Sequence, residues 1–520
     1  MSFHFKKFCE KNKIIISKKK SDKNVIIVDR GRYGSALHAS LIASAINHKY
    51  EYNVKVLTSK NRDALIIDFY KSFGIEDFIY GANIGSLIKN INNFFSTFLN
   101  FIKSSLVISY HPIDWFIDKF EFKGIKVGDL IYDTYIKHKK RYIKPKKDIY
   151  FFFLVLRTLY KVINILNLLK TTNVKFIIIG TLSYANNDAI FLRIGIKNKI
   201  KVLEPSWYYT NSSLLEYDSY DLKYGPRNIY YDKIQKNKLK KINFSRNFLN
   251  SFIKKRFENK VKLYHTKNID IKIANKTKVN LSRSIFLNKF AKKKIYKKII
   301  IFAPHAFSDA PHGAGYNLCF RDFYSYFTET IDSILEIKNE DVLWVVRPHP
   351  LSKAYGEKNI VEDYLKKFNK KNLILCPKGM STKNLLRICD TVITMKGNIG
   401  LELAAIGKMP ITCGYPPYSN FGIAIEANSK KKYFNILNKA HEINYKMPKK
   451  KQLLAKKILY YMERINPHNK EFRASQNFQD LTLDLNSSKT DLSWKTLSDR
   501  LRKNNGFLND KFYLDALRVI

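Results

Sequence analysis

Short apolar runs, each stopped by a Gly, Pro or His and followed by a stretch of helical periodicity, most limit what this 520-residue chain can become. In its second half they are "KIIIFAPH" (298–305), "DVLWVVRPHP" (341–350), "NLILCP" (372–377), "DTVITM" (390–395) and "MPITCG" (409–414). Their cores are largely apolar, as suits strands covered on both faces. Between them, "FRDFYSYFTETIDSILEI" (320–337) and "STKNLLRIC" (381–389) read as helices, and "NSKKKYFNILNKAHEI" (428–443) follows as another. Such alternation predicts a parallel sheet with helices on its faces.

The first half repeats the pattern. "NVIIVDRG" (24–31), the helix "SALHASLIASAINHKY" (35–50) and "YNVKVLTS" (52–59) make one βαβ unit. "SLVISYHP" (105–112), "VKFIIIGTLSY" (174–184) and "KIKVLEPSW" (199–207) read as further strands, with "NDAIFLRIGI" a helix before the last. The fold class expected is therefore α/β, with two tandem Rossmann-like, doubly wound domains facing each other across a cleft. The expected boundaries are 1–215 for the first domain and 216–297 for a basic helical connector. Residues 298–445 are expected to form the second domain and 446–520 a helical extension.

Charge narrows the partners. With 93 Lys+Arg against 44 Asp+Glu the formal net charge is +49, which suits an anionic membrane surface, a polyanionic substrate or nucleic acid. Lys far outnumbers Arg, and Ile and Asn are abundant, so an A/T-rich coding bias accounts for part of that charge. Nucleic-acid readers favour Arg's planar fork, and the chain has no zinc-ligand spacing or RNP-type aromatic motif. Five cysteines without CxxC spacing speak for a reducing compartment. The first twenty residues lack the apolar core of a secretory signal. The stretch 149–169 is long enough to span a bilayer, but Arg157 and Lys161 in its middle favour a core helix with one wet edge. The expected location is cytoplasmic, with peripheral attachment to the inner membrane.

In an open α/β sheet, ligands bind outside the carboxyl ends of the strands, so the residues just past each strand are the candidates. After 390–395 comes "KGNIGLELAAIG", where Gly397, Asn398 and Gly400 form a turn into a helix. That helix's free N–H groups suit a phosphate, and Glu402 can accept bonds from ribose hydroxyls. Arg347 and His349 stand at the end of 341–347, stiffened by Pro348 and Pro350, and can neutralise a leaving phosphate. His305, Asp309 and His312 follow 298–304; their spacing matches no recognised metal geometry, which makes them substrate contacts and leaves no metal expected.

Taken in order, "WVVRPHP", "DTVITMKGNIGLELAAIGKMPITCG" and "YPPYSNFGIAIE" resemble the nucleotide-sugar-binding domain of GT-B glycosyltransferases of bacterial capsule and lipopolysaccharide synthesis. The resemblance covers residues 298–443, and "KMPITCG" departs from it by carrying Met409 where a "GKP" run is expected. It implies that the Gly-rich turn and Glu402 hold the nucleotide's phosphate and ribose. His349-Pro350 matches the His-Pro element of enzymes that use CMP-activated Kdo or sialic acid, and Tyr418 falls among the substrate residues. The reaction implied moves a sugar from a nucleotide-activated donor, a CMP-ulosonic acid such as Kdo or a UDP- or GDP-sugar, to a glycan or lipid-linked surface-polysaccharide acceptor. The nucleotide-sugar is then a substrate, and no other cofactor is expected.

A base for the acceptor hydroxyl is expected from the first domain. The candidates are Asp29, His111, Asp114, Asp129 and Asp133, with the Asp129/Asp133 pair favoured for standing among aromatics in a basic chain. Trp207, Tyr208 and Tyr209 are placed to stack on a sugar. Two other readings remain open: a glycerol- or ribitol-phosphate transferase of similar architecture, and a nucleic-acid-binding protein.

Overall fold

The computed structural model describes residues 3–12, 16–59, 61, 63–80, 91–138, 140–180, 184–185, 188–206, 213–217, 239, 244–257, 282–291, 295–313, 318–464, 490–503, 506–509 and 511–520. They fall into two compact units. The first takes its residues from 1–135, 146–220 and 468–520, the second from 136–145 and 221–467.

Both units are built on a sheet of the kind the sequence predicts. The first holds β1 (Lys23–Val28), β2 (Asn53–Thr58), β3 (Asp77–Tyr80), the short antiparallel hairpin β4 (Glu121–Phe122) and β5 (Ile125–Lys126), then β6 (Asn173–Ile178), β7 (Lys201–Ser206) and β8 (Ser213–Tyr217). Its main sheet runs β3-β2-β1-β6-β7-β8, parallel except for β8. The second unit holds β9 (Lys298–Phe302), β10 (Val342–Val346), β11 (Leu373–Leu375), β12 (Thr391–Thr394), β13 (Ile411–Cys413) and β14 (Ile425–Ala427). These pair as β11-β10-β9-β12-β13-β14, all parallel. In each sheet the chain works outward to one edge, returns, and works outward to the other, which is the doubly wound order with one switch point beside the first strand.

Sequence chemistry explains the regularity of the second unit. β10 (VLWVV) and β12 (TVIT) are buried along their whole length; β10 is apolar throughout, and in β12 the buried Thr391 hydroxyl donates to the Met409 carbonyl at 2.6 Å. The helix Phe323–Glu336 starts where Asp322 and Ser325 form a reciprocal capping box. The helix Thr382–Ile388 starts at Ser381, whose hydroxyl accepts the Asn384 N–H.

Two regions depart from expectation. Residues 105–112 do not form a strand; 105–110 end the helix Ile91–Tyr110 and Pro112 caps the next one. "SLVISY" is short, apolar and β-branched, and such a run has the same signature in a buried strand as in a helix. The helix Ile149–Thr171 buries Phe151, Val155, Leu159 and Val162, among others, in the first unit. It is long and apolar enough to cross a membrane, yet half of its most apolar stretch is covered by protein.

The connector and the extension also divide. The helices Arg246–Phe257 and Arg283–Phe290 belong to the second unit, as does Lys449–Arg464, which packs on the helix Asn398–Ala405. The helices Thr490–Lys503 and Lys511–Val519 belong to the first unit. There Trp494 sits edge-on to Phe5, with ring centroids 4.9 Å apart, and 5.0 Å from Phe8. The Tyr50 hydroxyl donates to the Ile520 carbonyl at 2.9 Å.

Candidate functional site

The loops that leave β9, β10 and β12 meet at the switch point of the second sheet, since β9 lies between β10 and β12. His305, three residues past β9, lies flat against Phe323, with ring centroids 4.6 Å apart. Its Nε2 accepts the Lys396 backbone N–H at 3.1 Å, joining the loop after β9 to the loop after β12. With Nε2 accepting, the neutral ring carries its hydrogen on Nδ1. Burial, reinforced by the charges of Lys396 and His349, holds this imidazole well below its usual pKa of 6.5. The Lys396 ammonium lies 4.9 Å over the Phe323 ring and reaches the Pro311 carbonyl at 3.4 Å.

Glu357 fixes the same loop from the far side of β10. Its buried carboxylate accepts the Phe307 N–H at 3.0 Å and both the N–H and the hydroxyl of Ser308 at 2.8 Å. Burial raises its pKa, and those three bonds oppose the rise. Nothing in "YGEKN" distinguishes this residue from a surface Glu, so the sequence reading missed it.

At the end of β10, the Arg347 N–H donates to the Phe302 carbonyl at 2.8 Å and its guanidinium donates to Thr382 Oγ1 at 2.8 Å. Burial lowers the Arg347 pKa while Cys376 and Glu402 oppose the shift; a guanidinium keeps its charge regardless. The His349 Nδ1 accepts the Leu351 N–H at 3.3 Å, which puts the neutral ring's hydrogen on Nε2. Its carbonyl accepts the N–H and hydroxyl of Ser352 at 3.0 and 2.8 Å, so a local turn sets the ring's direction.

The turn after β12 opens the helix Asn398–Ala405, with Gly397 as a cap that offers no side chain. Its two glycines have a packing cause. A Cβ on Gly400 would lie 2.3 Å from the Tyr418 hydroxyl oxygen, and one on Gly397 would lie 2.7 Å from Thr394 Oγ1. Tyr418 is fully buried and donates its hydroxyl to the Gly397 carbonyl at 2.8 Å. It shapes the turn from below, a different part from the substrate contact expected of it. Asn398 is exposed at the first helical position. Glu402 pairs at 2.6 Å with Arg256, their side chains 10% and 14% exposed. Arg256 lies in the basic connector, where one Arg among many lysines gives no signal in the sequence.

Asp309 is exposed and His312 buried on the loop that follows His305. The second unit thus brings His305, Arg347, His349 and the Gly397–Glu402 turn to one end of its sheet, with Asp309 and His312 on an adjoining loop. An arginine, a ring N–H and the first turn of a helix at one sheet end are together suited to a phosphate.

His305 also gives stability a pH dependence. Its folded pKa lies below the unfolded value, so its contribution is complete above about pH 6.5 and is lost as pH falls toward the folded value. His38, pushed down to about 3 by burial, acts with the same sign. The urea midpoint is expected to fall between about pH 7 and pH 5, and His305→Asn to make that slope shallower. Urea titrations across this range measure it, and an unchanged slope in His305→Asn would show that its imidazole is not held neutral.

The first-unit candidates are dispersed. Asp29, just past β1, accepts bonds from Thr58 Oγ1 (2.8 Å), the Tyr70 hydroxyl (3.2 Å) and the Gly31 N–H (2.9 Å). His111 is half-buried and stacks on Trp115, with centroids 4.0 Å apart, and Asp114 is exposed in the next helix's first turn. Asp129 is engaged at both oxygens by Arg193, at 2.6 and 2.8 Å, in a buried ion pair. That geometry gives it a structural part and displaces the base role favoured above. Asp133, on the same helix Gly128–Ile136, is wholly buried. Trp207, Tyr208 and Tyr209 lie outside the described residues.

One carboxyl the sequence reading missed stands at the first sheet's own switch point. Asp188 Oδ2 accepts the Gly180 N–H at 2.7 Å, and the Gly180 carbonyl accepts Arg30 at 2.7 Å. Burial pushes the Asp188 carboxyl up, against Arg30 and Lys161. Lys161 is itself pushed down to about 8 by burial.

Comparison with known proteins adds the following. No curated protein matches the chain. Among solved structures, it is similar to the beta Kdo 2,4 transferase of Thermosulfurimonas dismutans KpsC at 14% identity, over 55% of this chain and 79% of that one, with TM-score 0.31. The beta Kdo 2,7 transferase of the same KpsC is similar at 13% identity, over 64% and 89%, with TM-score 0.29. Anabaena Alr3699/HepE in complex with UDP-glucose is similar at 11%, over 92% and 99%, with TM-score 0.25. These likenesses are too distant to carry an activity across. Residues 225–463, which hold the whole second sheet and its site, match the family described as capsule polysaccharide biosynthesis protein. Over that segment, a little under half of the chain, the protein is similar to capsule polysaccharide biosynthesis proteins, and its two sheets have Rossmann-like order.

Proposed function

We propose that the second unit binds a nucleotide-activated sugar and that the protein transfers the sugar to a growing surface polysaccharide or its lipid-linked precursor. The observation that carries this is the His305–Lys396 bond at the switch point. It pins the loop after β9 to the phosphate-type turn, beside the strand that presents Arg347 and His349. In this reading, Arg347, the Nε2–H of His349 and the helix N-terminus at Asn398 neutralise the phosphate. Glu402, held by Arg256, faces the ribose. As the bond from the anomeric carbon to the phosphate oxygen breaks, charge grows on the leaving phosphate and these fixed donors stabilise it. The acceptor hydroxyl forms the new glycosidic bond and its proton passes to a base. The His349-Pro350 element supports CMP as the nucleotide, with an ulosonic acid such as Kdo as the sugar.

Thermal unfolding of the protein with CMP, CDP, UDP or GDP tests the reading. The cognate nucleotide at a hundred times its dissociation constant should add about 2.7 kcal/mol of stability, and CMP is expected to be the one. Stabilisation by CDP-glycerol instead would transfer the site to polyol-phosphate chemistry. No response to any nucleotide would remove the proposal.

A further inference from the structure

We propose that the exposed face of the helix Ile91–Tyr110 is a docking surface for an anionic lipid bilayer. Phe95, Phe98, Leu99, Ile102, Leu106 and Tyr110 recur three or four residues apart and so share one side of this helix. All six are exposed, Leu106 by 70% and Tyr110 by 92%. The opposite side is occupied: Thr97 and Ile108 are buried, and the helix packs along Ile149–Thr171. A row of large apolar groups turned to water along about four turns of helix costs solvation unless something covers it.

What covers it follows from the charge around it. The helix contains no acidic residue and one lysine, Lys103, which is exposed. Ser96, beside Phe95, lines an open hollow with Lys123 and Lys170, and the Lys197 ammonium donates to the Lys123 carbonyl at 2.5 Å. At the other end, Lys147 donates to the carbonyls of Ile108 and His111. Asp114, Asp118 and Glu121 follow only after the stripe has ended. The feature is an apolar ridge with exposed Lys103 on its helix and exposed Lys123 and Lys170 at its first end, on a chain of net charge +49. That is the pattern of a helix lying in a headgroup layer, with apolar side chains inserted and lysines on lipid phosphates.

The test is co-sedimentation of the full chain with vesicles of phosphatidylcholine alone or mixed with phosphatidylglycerol. Wild type should partition onto the mixed vesicles, less so at high salt. Leu99→Glu combined with Leu106→Glu should lower the partition coefficient at least about tenfold, with an unfolding midpoint like wild type because both positions are exposed. Nucleotide stabilisation should be the same in both proteins, so this proposal and the donor-site reading fail separately. The proposal is overturned if the double variant binds as wild type does, since charge alone would then suffice. It is also overturned if neutral vesicles bind equally well. A third contrary result is a wild type that ignores vesicles and forms a dimer that the substitutions dissociate.

Discussion

In Arg347→Ala, the dissociation constant for the cognate nucleotide should rise between about tenfold and a hundredfold, and turnover should fall with it. A hydrogen bond to a charged group contributes about 1.5–3 kcal/mol, and Arg347 stands half-buried at the end of β10, where burial lowers its pKa. Its Thr382 contact is one bond of 2.8 Å to a hydroxyl, so the fold should survive the loss. Arg347→Lys keeps the charge but not the planar fork, and should recover only part of the affinity. Titration calorimetry with the stabilising nucleotide gives the constants. If Arg347→Ala unfolds at lower urea but binds as wild type does, the residue is structural and the phosphate clamp must be sought elsewhere.

Asp129→Ala should do the reverse, lowering the stability of the first unit by about 3–5 kcal/mol because it strands the Arg193 guanidinium in a buried site. Asp129 and Arg193 are joined by two short bonds with side chains 3% and 6% exposed, so water cannot take the lost partner's place. Replacing both, as Asp129→Leu with Arg193→Met, should restore most of the loss, since apolar side chains of similar volume avoid the desolvation of two charges. Urea unfolding of the single and double variants reads this directly. The contrary result is an Asp129→Asn protein of normal stability and no turnover, which would return the residue to the reaction.

The parts legible in the sequence were those dictated by local pattern. Buried parallel strands are largely apolar and must stop where the chain leaves the sheet, so β9, β10 and β12 announced both themselves and the polar residues past their ends. What escaped was set by partners far along the chain. Asp129 reads as a candidate base until Arg193, 64 residues later, is seen closing on it. Glu402 and Arg256 are separated by 146 residues. Glu357 lies in a loop whose composition is that of any exposed turn, and only its three bonds to Phe307 and Ser308 give it a part. The helix Ile91–Tyr110 was misread at its end for a further reason. Its apolar side faces water, so the usual equation of apolar runs with buried strands points the wrong way.

Phe5 and Phe8 close their aromatic cluster with Trp494, almost the whole sequence away. The second unit, by contrast, is assembled within 136–467. On the ribosome the order of completion is therefore the inverse of the order of synthesis. Until residue 494 has been made, the apolar seat of Trp494 on Phe5 and Phe8 has nothing to cover it. Shortening the protein by the helices Thr490–Lys503 and Lys511–Val519 would leave residues 225–463 whole and uncover Phe5 and Phe8.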